Sequence, residues 1–373
     1  MELPTGYHCF HSNAFFNYQL NRWYALGFAR KEDMISIGRK IRTAQDYVRE
    51  FTSACDRAIE EGRLKNAATY CRASEFLMEP ADPKKIATYD KFVELFDQAL
   101  ADEKYERHQV PYANYYLSAI RFPAQTAQAK GTLIGIGGFD SFIEDFLSFW
   151  KFFAENGYDV IAFEGPGQGG SLRTHQLAFD HDWEKPTAAV LDYFRLDQVT
   201  ALGISMGGYW VLRAAAFEKR IQQLIAMPPV YDWLELTHTF NKKLVNGLLK
   251  KKKIMNFLIK LKMRNLVIRH TIQNTLFLSQ QKEPVEAVAW MLGMNKNHLH
   301  SHLVDQHVLL LGGEQDAFQP PLLLQKQKAA LINAASVSVR IFSKSEQAEQ
   351  HCQIGNIGLA LESMLHWMTK TII

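Results

Sequence analysis

Apolar residues follow two different spacings along the chain, and these divide it into two parts. Before about residue 110 they recur at helical spacing, most clearly over residues 31–64. From about Tyr112 onward, continuous apolar segments of strand length alternate with helical segments. We therefore predict a helical N-terminal cap domain at 1–110 and an α/β domain at 111–373.

The apolar segments of the second part predict a parallel sheet. They include GTLIGI, YDVIAF, VTALGI and HVLLL, most of them followed by a glycine-rich loop and then a helical segment. Continuous apolar strands that alternate with helices are typical of a parallel sheet covered on both faces. A largely helical insertion at about 230–303 interrupts the alternation. The predicted fold class is α/β, with a mostly parallel central sheet, the helical cap and this insertion.

Composition is that of a globular protein, with 47% hydrophobic and 22% charged residues among 373. The four cysteines are scattered, without a C-x-x-C pair, which favours reduced thiols. The N-terminus lacks the pattern of a signal peptide, and no apolar run reaches the length of a membrane span. We expect a cytoplasmic protein.

Positive charge is concentrated in the segment 242–269, which holds eight lysines, two arginines and no acidic residue. Four of its apolar residues lie at helical spacing: Ile254, Phe257, Leu258 and Leu261. The favoured interpretation is a helix whose apolar stripe packs on the protein while its lysines are solvated. The alternative is a weak contact with an anionic membrane surface. The sequence indicates no nucleic-acid partner, and it leaves open whether the protein forms a homodimer.

One serine stands where a reactive group would be expected. In VTALGISMGGYW, Ser205 lies between Gly203 and Gly207, at the end of a predicted strand and before a predicted helix. This G-x-S-x-G pattern is typical of a sharp strand-to-helix turn that exposes a nucleophilic serine, with glycines giving it room. An ordinary turn is the alternative. The strand and helix on either side favour the nucleophile.

A serine hydroxyl needs a base and an orienting acid, which follow it in the chain order serine, acid, histidine in this kind of fold. Asp316 follows the apolar strand HVLLLGG, and His351 lies beyond the next strand. We predict these two as the acid and the base. Glu314 and His366 are the competing residues, and His366 is less suited because it lies in a predicted amphipathic helix.

Attack on a carbonyl creates negative charge, which backbone amides can stabilise. One predicted donor is the amide of Met206, directly after the serine. The other comes from the loop GIGGFD, where we favour Phe139 over Gly138. The alternative is that the glycines of this loop only form a tight turn.

Four stretches together resemble a known family. GFDSFIEDF, FEGPGQG, GISMGGYW and AEQHCQIGN are similar to those of α/β-hydrolases that resemble 2,6-dihydroxypseudooxynicotine hydrolase, with fungal polyketide-shortening hydrolases and FrsA-type proteins as relatives. The resemblance extends into the N-terminal part through GRLKNAATYCRASEFLM. It implies a serine hydrolase whose helical cap covers the active site, with Ser205, Asp316 and His351 as the catalytic triad.

The resemblance also implies two kinds of reaction, because some family members cleave carbon–carbon bonds beside a ketone and others are esterases. Members of the first kind use an additional carboxylate near the substrate, for which Glu164 and Glu235 are candidates. Asp140 is a further candidate pocket residue. The sequence leaves open which of the three carboxylates contacts the substrate.

We predict a cofactor-independent serine hydrolase that acts on a carboxylic ester, thioester or similar acyl substrate. The alternatives are a carbon–carbon bond hydrolase of a β-diketone or polyketide-like substrate, and a catalytically silent binding protein. No metal site is expected, because the histidines of HLHSH lack a neighbouring cysteine or carboxylate. The loop FEGPGQGGS lacks the third glycine and the lysine of nucleotide-binding loops.

Overall fold

Five helices precede the first strand in the computed structural model, which describes residues 2–236, 247, 249 and 251–371. They are α1 (Ala14–Ala25), α2 (Lys31–Lys40), α3 (Ala44–Glu60), α4 (Leu64–Leu77) and α5 (Lys84–Ala99). Side chains close their first turns: Asn13 accepts hydrogen bonds from the Phe15 and Phe16 amides, and Thr43 forms a capping box with Asp46. The predicted helical character of this part is therefore observed as far as Ala99.

Eight strands form one sheet in the order β1-β2-β4-β3-β5-β6-β7-β8. The strands are β1 (Glu106–Tyr112), β2 (Tyr115–Phe122), β3 (Gly131–Ile136), β4 (Tyr158–Phe163), β5 (Val199–Ile204), β6 (Ile221–Met227), β7 (His307–Gly313) and β8 (Ser336–Phe342). The pairings of β2 with β1 and with β4 are antiparallel, and all the others are parallel. The predicted mostly parallel sheet is confirmed.

Strand β1 was missed by the sequence analysis, which expected only helices before residue 110. Its sequence, ERHQVPY, is mostly polar, and only Val110 among its residues is buried. An edge strand with one solvated face carries little of the apolar pattern from which strands are recognised. The first strand therefore begins at Glu106, inside the region assigned to the cap.

Helices cover both faces of the sheet, as a buried parallel sheet requires. One face packs against α6 (Leu147–Glu155), the C-terminal helix α15 (Ile357–Lys370) and the N-terminal helices. The other face packs against α8 (Glu184–Phe194), α9 (Gly207–Phe217) and α14 (Pro321–Ala330). A short helix, α7 (Gly169–Arg173), follows β4. The sheet thus lies between two layers of helices, with an apolar core on each face.

The helical insertion follows β6. Its described helices are α10 (Lys252–Lys262), α11 (Leu266–Ser279), α12 (Pro284–Gly293) and α13 (Lys296–Leu299). Part of the basic segment, at 242–246, 248 and 250, lies outside the described residues. Within the described part of the chain, no helix combines the length and the apolar character needed to cross a bilayer.

The favoured interpretation of the apolar stripe on α10 is wrong. Four side chains that were expected to pack on the protein are 40–63% exposed: Ile254, Phe257, Leu258 and Leu261. The helix instead turns its opposite side toward α12, where Asn256 hydrogen-bonds with Glu283 and the Val285 amide, and Ile259 is buried. Helical spacing alone fixed which residues share a face but not which face packs.

Buried charges join the N-terminal helices to the sheet domain. Arg72 of α4 is almost fully buried and contacts Asp145, in the segment before α6, at 3.0 Å, and Glu75 at 2.7 Å. Glu75 also contacts Arg173 of α7 at 2.6 Å and Lys85 of α5 at 3.0 Å. Removing one partner from a buried ion pair is strongly destabilising, because it leaves the other charge unpaired in the protein interior. The N-terminal helices are therefore held to the sheet domain by more than apolar contact.

Candidate active site

Ser205 occupies the turn between β5 and α9 in a left-handed backbone conformation, with φ of +56°. Few residues other than glycine adopt this conformation, and it is typical of a strained functional turn. A Cβ on Gly203 would approach the Gly207 carbonyl oxygen at 2.0 Å, and one on Gly207 would approach the Ile136 carbonyl oxygen at 2.4 Å. Only glycines allow the strand, the turn and the helix to come this close.

The three predicted triad side chains form one continuous chain of hydrogen bonds. Asp316 Oδ2 lies 2.8 Å from His351 Nδ1, and His351 Nε2 lies 2.8 Å from Ser205 Oγ. The other carboxylate oxygen of Asp316 accepts hydrogen bonds from the Phe318 and Gln319 amides, each at 2.8 Å. With Nδ1 donating to Asp316, Nε2 is free to accept the serine proton.

Burial and charge act in opposite directions on His351. Burial by itself lowers the pKa of the imidazole, because it disfavours the charged form, but the neighbouring Asp316 carboxylate outweighs it and the pKa lies well above its usual value of 6.5. The carboxylate therefore stabilises the imidazolium that forms when the histidine takes up a proton.

Three backbone amides lie near Ser205 with unused hydrogen-bonding capacity. Among the described residues, the amides of Met206, Gly138 and Phe139 have no acceptor. The loop after β3 also approaches the serine closely, since a Cβ on Gly138 would lie 3.1 Å from Ser205 Cβ. Free amides beside a nucleophile can bind a negatively charged oxygen. The arrangement leaves both Phe139 and Gly138 as candidate donors.

Gln168, which the sequence analysis did not identify, holds this loop in place. Its Nε2 donates to the carbonyl oxygens of Gly137 at 3.2 Å and Gly138 at 2.9 Å, and its Oε1 accepts from the Gly165 amide at 3.0 Å. In a trans peptide the C=O and the N–H point in opposite directions. Drawing both carbonyls toward Gln168 therefore turns the amides of Gly138 and Phe139 away from it.

The serine and the histidine open into a cavity of about 530 Å³. Helix α1 of the N-terminal part and α11 of the insertion both contribute to its wall. Most of the wall is apolar, and many of its side chains are aromatic: Phe15, Tyr18, Phe76, Phe139, Trp233 and Phe318. A larger groove of about 750 Å³ lies beside it and contains none of the three hydrogen-bonded residues. A cavity of this size and character suits a mostly apolar small molecule.

The three candidate carboxylates occupy different places. Asp140 lines the cavity. Glu164 is buried among backbone atoms, where it accepts from the Gly170 amide at 2.6 Å, and it is not among the described lining residues. Burial and the nearby Glu144 raise the pKa of Glu164 to about 8. Glu235 pairs with Lys296 at 3.0 Å and Lys326 at 2.7 Å, also outside the described lining.

The competing residues lie apart from the hydrogen-bond chain. Glu314 is exposed and accepts from the Lys344 amide, and His366 is exposed on α15. The histidines of HLHSH lie in a helix and the turns after it rather than on a strand. Among the described residues no group of three or more histidine, cysteine, aspartate or glutamate side chains could hold a metal ion.

Comparisons with known proteins agree with this architecture. A family model described as alpha/beta hydrolase fold matches residues 135–256. The chain is 32% identical over 248 residues to hydrolase acrC of Aspergillus aculeatus, covering 58% of this chain and 55% of acrC. It is 32% identical over 216 residues to 20-hydroxy-prefusarin hydrolase FUS2 of Gibberella moniliformis, covering 52% and 51%. The chain spans about half the length of the curated relatives it matches.

A solved structure extends the likeness to nearly the whole chain. The crystal structure of 2,6-dihydroxy-pseudo-oxynicotine hydrolase superposes with a TM-score of 0.67 and 19% identity, covering 95% of each chain. At this identity the likeness concerns the fold, and it includes the N-terminal helices as well as the sheet. The predicted resemblance to this group of proteins is confirmed.

Proposed function

Because the chain has the α/β-hydrolase fold that its sequence predicted, we propose that it is a serine hydrolase of carboxylic esters, thioesters or similar acyl substrates. The observation that carries the proposal is the chain of 2.8 Å hydrogen bonds from Asp316 through His351 to Ser205, which ends in an apolar cavity. The polypeptide itself supplies the nucleophile, the base, the orienting acid and the candidate oxyanion donors, so the proposed chemistry needs no added cofactor.

Acylation begins when Ser205 Oγ attacks the substrate carbonyl carbon while His351 Nε2 takes the serine proton. The carbonyl oxygen becomes negatively charged and accepts hydrogen bonds from the Met206 amide and from the loop after β3, where Phe139 is the favoured donor. Asp316 stabilises the imidazolium. Collapse of the tetrahedral intermediate breaks the bond to the leaving alcohol or thiol, which takes its proton from His351.

Deacylation repeats these steps with water as the nucleophile. His351 takes a proton from the water as it attacks the acyl carbon, the oxyanion is held by the same amides, and Ser205 leaves with a proton returned by His351. The products are the carboxylic acid and the free enzyme.

The cavity indicates the size and polarity of the substrate. Its volume of about 530 Å³ lies within the range of pockets for drug-sized molecules, and its wall is rich in aromatic side chains. A substrate with a bulky, mostly apolar acyl group fits such a wall.

Labelling with a fluorophosphonate probe tests the proposal, because the probe reacts with serines activated in this way. We expect the wild-type protein to be labelled and Ser205→Ala and His351→Ala to be unlabelled. Ser363→Ala and His366→Ala, which change the same residue types on α15, are the matched controls and should label like the wild type. A wild type that fails to label, or a Ser205→Ala protein that still labels, would contradict the proposal.

Product analysis then separates the two reactions. Incubation with simple esters and with a β-diketone should give turnover of the esters at Ser205. Carbon–carbon cleavage of the β-diketone without ester hydrolysis would replace the proposed substrate class by the alternative one, since the same residues could support both. If the protein is labelled but hydrolyses neither compound, its acyl specificity is narrower than these two substrates can test.

A further inference from the structure

The cavity contains a second group of polar side chains besides the hydrogen-bonded triad residues. We refer to Asp140, Arg22, His270 and Asn274, all of which line the cavity, as the Asp140 cluster. The Asp140 carboxylate lies 3.7 Å from Arg22 Nη1, 3.8 Å from His270 Nε2 and 3.5 Å from Asn274 Nδ2. Two elements, α1 and α11, therefore direct hydrogen-bond donors at one carboxylate in the loop after β3.

These distances are longer than those of strong hydrogen bonds, which lie near 2.9 Å. His270 Nε2 is buried and has no hydrogen-bond partner among the described residues. The imidazole is held between aromatic rings, with centroids 4.9 Å from Phe76 and 6.0 Å from Phe15. Polar groups separated by more than about 3.5 Å can be bridged by a water molecule or by a polar atom of a ligand. The cluster thus has hydrogen-bonding capacity that the protein itself does not use.

We propose that the Asp140 cluster binds a hydroxyl group of the substrate, at a distance from the carbonyl that Ser205 attacks. This inference rests on the proposed function, which makes the cavity a substrate site. A hydroxyl can donate its proton to the Asp140 carboxylate and accept from Asn274 or His270 at the same time. A ligand carboxylate would be repelled by Asp140, and a ligand ammonium group would be repelled by Arg22, so the neutral hydroxyl fits best.

The state of Asp140 agrees with this assignment. Burial raises the pKa of its carboxyl, but the nearby His270 imidazole and the charge of Arg22 outweigh this effect and leave the pKa below its usual value. The carboxylate is therefore ionised at neutral pH and can only accept. A ligand hydroxyl that donates to it would add a short hydrogen bond to the long contact from Asn274.

The subsite can be tested by binding, without relying on turnover. Ser205→Ala protein is titrated by calorimetry with methyl esters of fatty acids of about six to twelve carbons, each compared with its ω-hydroxy counterpart. At one chain length we expect the hydroxylated ester to bind about 10- to 100-fold more tightly, because hydrogen bonds to charged groups contribute that much. His270→Phe and Asn274→Leu, added separately, should each reduce this preference at least about fivefold.

A matched control is His298→Phe, which makes the same exchange on the insertion at a histidine outside the cavity, and it should keep the preference. Equal affinity of the paired esters at every chain length would overturn the proposal, as would a preference that survives in both cluster variants. Circular dichroism identifies a variant that fails to fold, in which case the other variant decides. Fluorophosphonate labelling fails separately if the proposed chemistry is wrong, since it depends on Ser205 and not on the cluster.

A separate observation concerns the exposed stripe of α10. The stripe consists of Ile254, Phe257, Leu258 and Leu261 and points away from α12, with exposed lysines such as Lys253 and Lys260 beside it. The next helix, α11, carries two further exposed apolar side chains, Val267 and Ile268, at 37% and 36%, and Val267 also lines the cavity. Because Val267 follows Leu261 by only six residues, the stripe ends within about 22 Å of one wall of the cavity.

We infer that this stripe docks on an anionic lipid surface, where apolar side chains enter the boundary region and lysines meet the headgroups. Charge decides between occupants, because the segment 242–269 has ten basic and no acidic residues and a second copy of the same segment would be repelled. Docking here would bring the cavity close to the lipid, where apolar acyl compounds concentrate.

Vesicle flotation tests the docking surface. We expect the wild type to float with phosphatidylcholine vesicles containing phosphatidylglycerol and not with phosphatidylcholine alone, and a Phe257→Gln and Leu261→Gln double variant to bind at least about tenfold more weakly. Ile332→Gln, at a side chain that is 72% exposed elsewhere, is the control and should bind like the wild type. Absence of flotation, or equal flotation of the double variant, would overturn the inference. So would light scattering in which the double variant converts a dimer to a monomer.

Discussion

Gln168→Leu tests whether the loop after β3 takes part in the proposed reaction. The change removes the side chain that binds the carbonyls of Gly137 and Gly138 and the amide of Gly165. The substituted leucine has a similar volume and cannot restore any of these hydrogen bonds. The peptide planes that carry the Gly138 and Phe139 amides then lose their fixed direction.

The expected effect on catalysis follows from the role of such amides. Complete loss of one oxyanion donor lowers kcat by about 10²–10³. Gln168 orients donors without being one, so we expect a smaller loss of about 10- to 100-fold, equivalent to about 1.4–2.7 kcal/mol of transition-state free energy. KM should change little, because the side chain does not line the described cavity. Each buried group left without a partner also lowers the free energy of unfolding by about 1–3 kcal/mol.

Steady-state kinetics on a p-nitrophenyl ester and urea unfolding measure the two effects. Gln306→Leu is the control, because Gln306 is also buried and donates to the Ala215 carbonyl, and neither residue lines the described cavity. It should lose stability and keep kcat. If Gln168→Leu also keeps its kcat while losing stability, the loop has only a structural role and the assignment of its amides to the oxyanion is refuted.

Three further changes test the aspartate that contacts His351, the buried charges around Arg72 and the glycine of the serine turn. Asp316→Asn should lower kcat by about 10⁴ and move the acid limb of kcat/KM to lower pH, because the carboxylate raises the pKa of His351; an unmoved limb would assign the titration to another group. Glu75→Gln should lower the free energy of unfolding in urea by about 3–5 kcal/mol, since it leaves buried cations unpaired. The pKa of the Glu75 carboxyl lies below its usual value of 4.5, so the stability that the ionised carboxylate contributes is complete above pH 4.5 and is lost as the pH falls further. Below pH 4.5 the free energy of unfolding of the variant should therefore decrease less with falling pH than that of the wild type. Gly207→Ala should abolish fluorophosphonate labelling, whereas Gly247→Ala, where no described residue lies within 4 Å of an added Cβ, should not.

The elements that the sequence predicted correctly are those with a strong local signal. Strands β3, β4, β5 and β7 are largely apolar segments, and the serine turn has glycines at both sides between a strand and a helix. The chain order of serine, acid and histidine then limited the partners to a few residues, because the carboxyl ends of parallel strands share one edge. Asp316 and His351 lie within hydrogen-bonding distance of each other and of Ser205 accordingly.

The features that the sequence did not predict depend on contacts between distant segments. Gln168 lies in the loop FEGPGQGGS, and nothing in its sequence neighbours indicates that it reaches Gly138, thirty residues earlier. The pairing of Arg72 with Asp145 and the meeting of His270 with Asp140 are of the same kind. The exposed stripe of α10 shows a related limit, because periodicity identifies a shared face without identifying its neighbour.

The buried charges around Arg72 limit which segments of the protein could be exchanged with those of a relative. The N-terminal helices supply Arg72, Glu75 and Lys85, whereas Asp145 and Arg173 come from the sheet domain. A chimera that takes its N-terminal helices from a relative would leave buried charges without partners in both the helices and the sheet domain, unless both members of each pair were transferred together. Helices α10 to α13 contribute none of these charges, so grafting that insertion is the simpler route to a changed cavity.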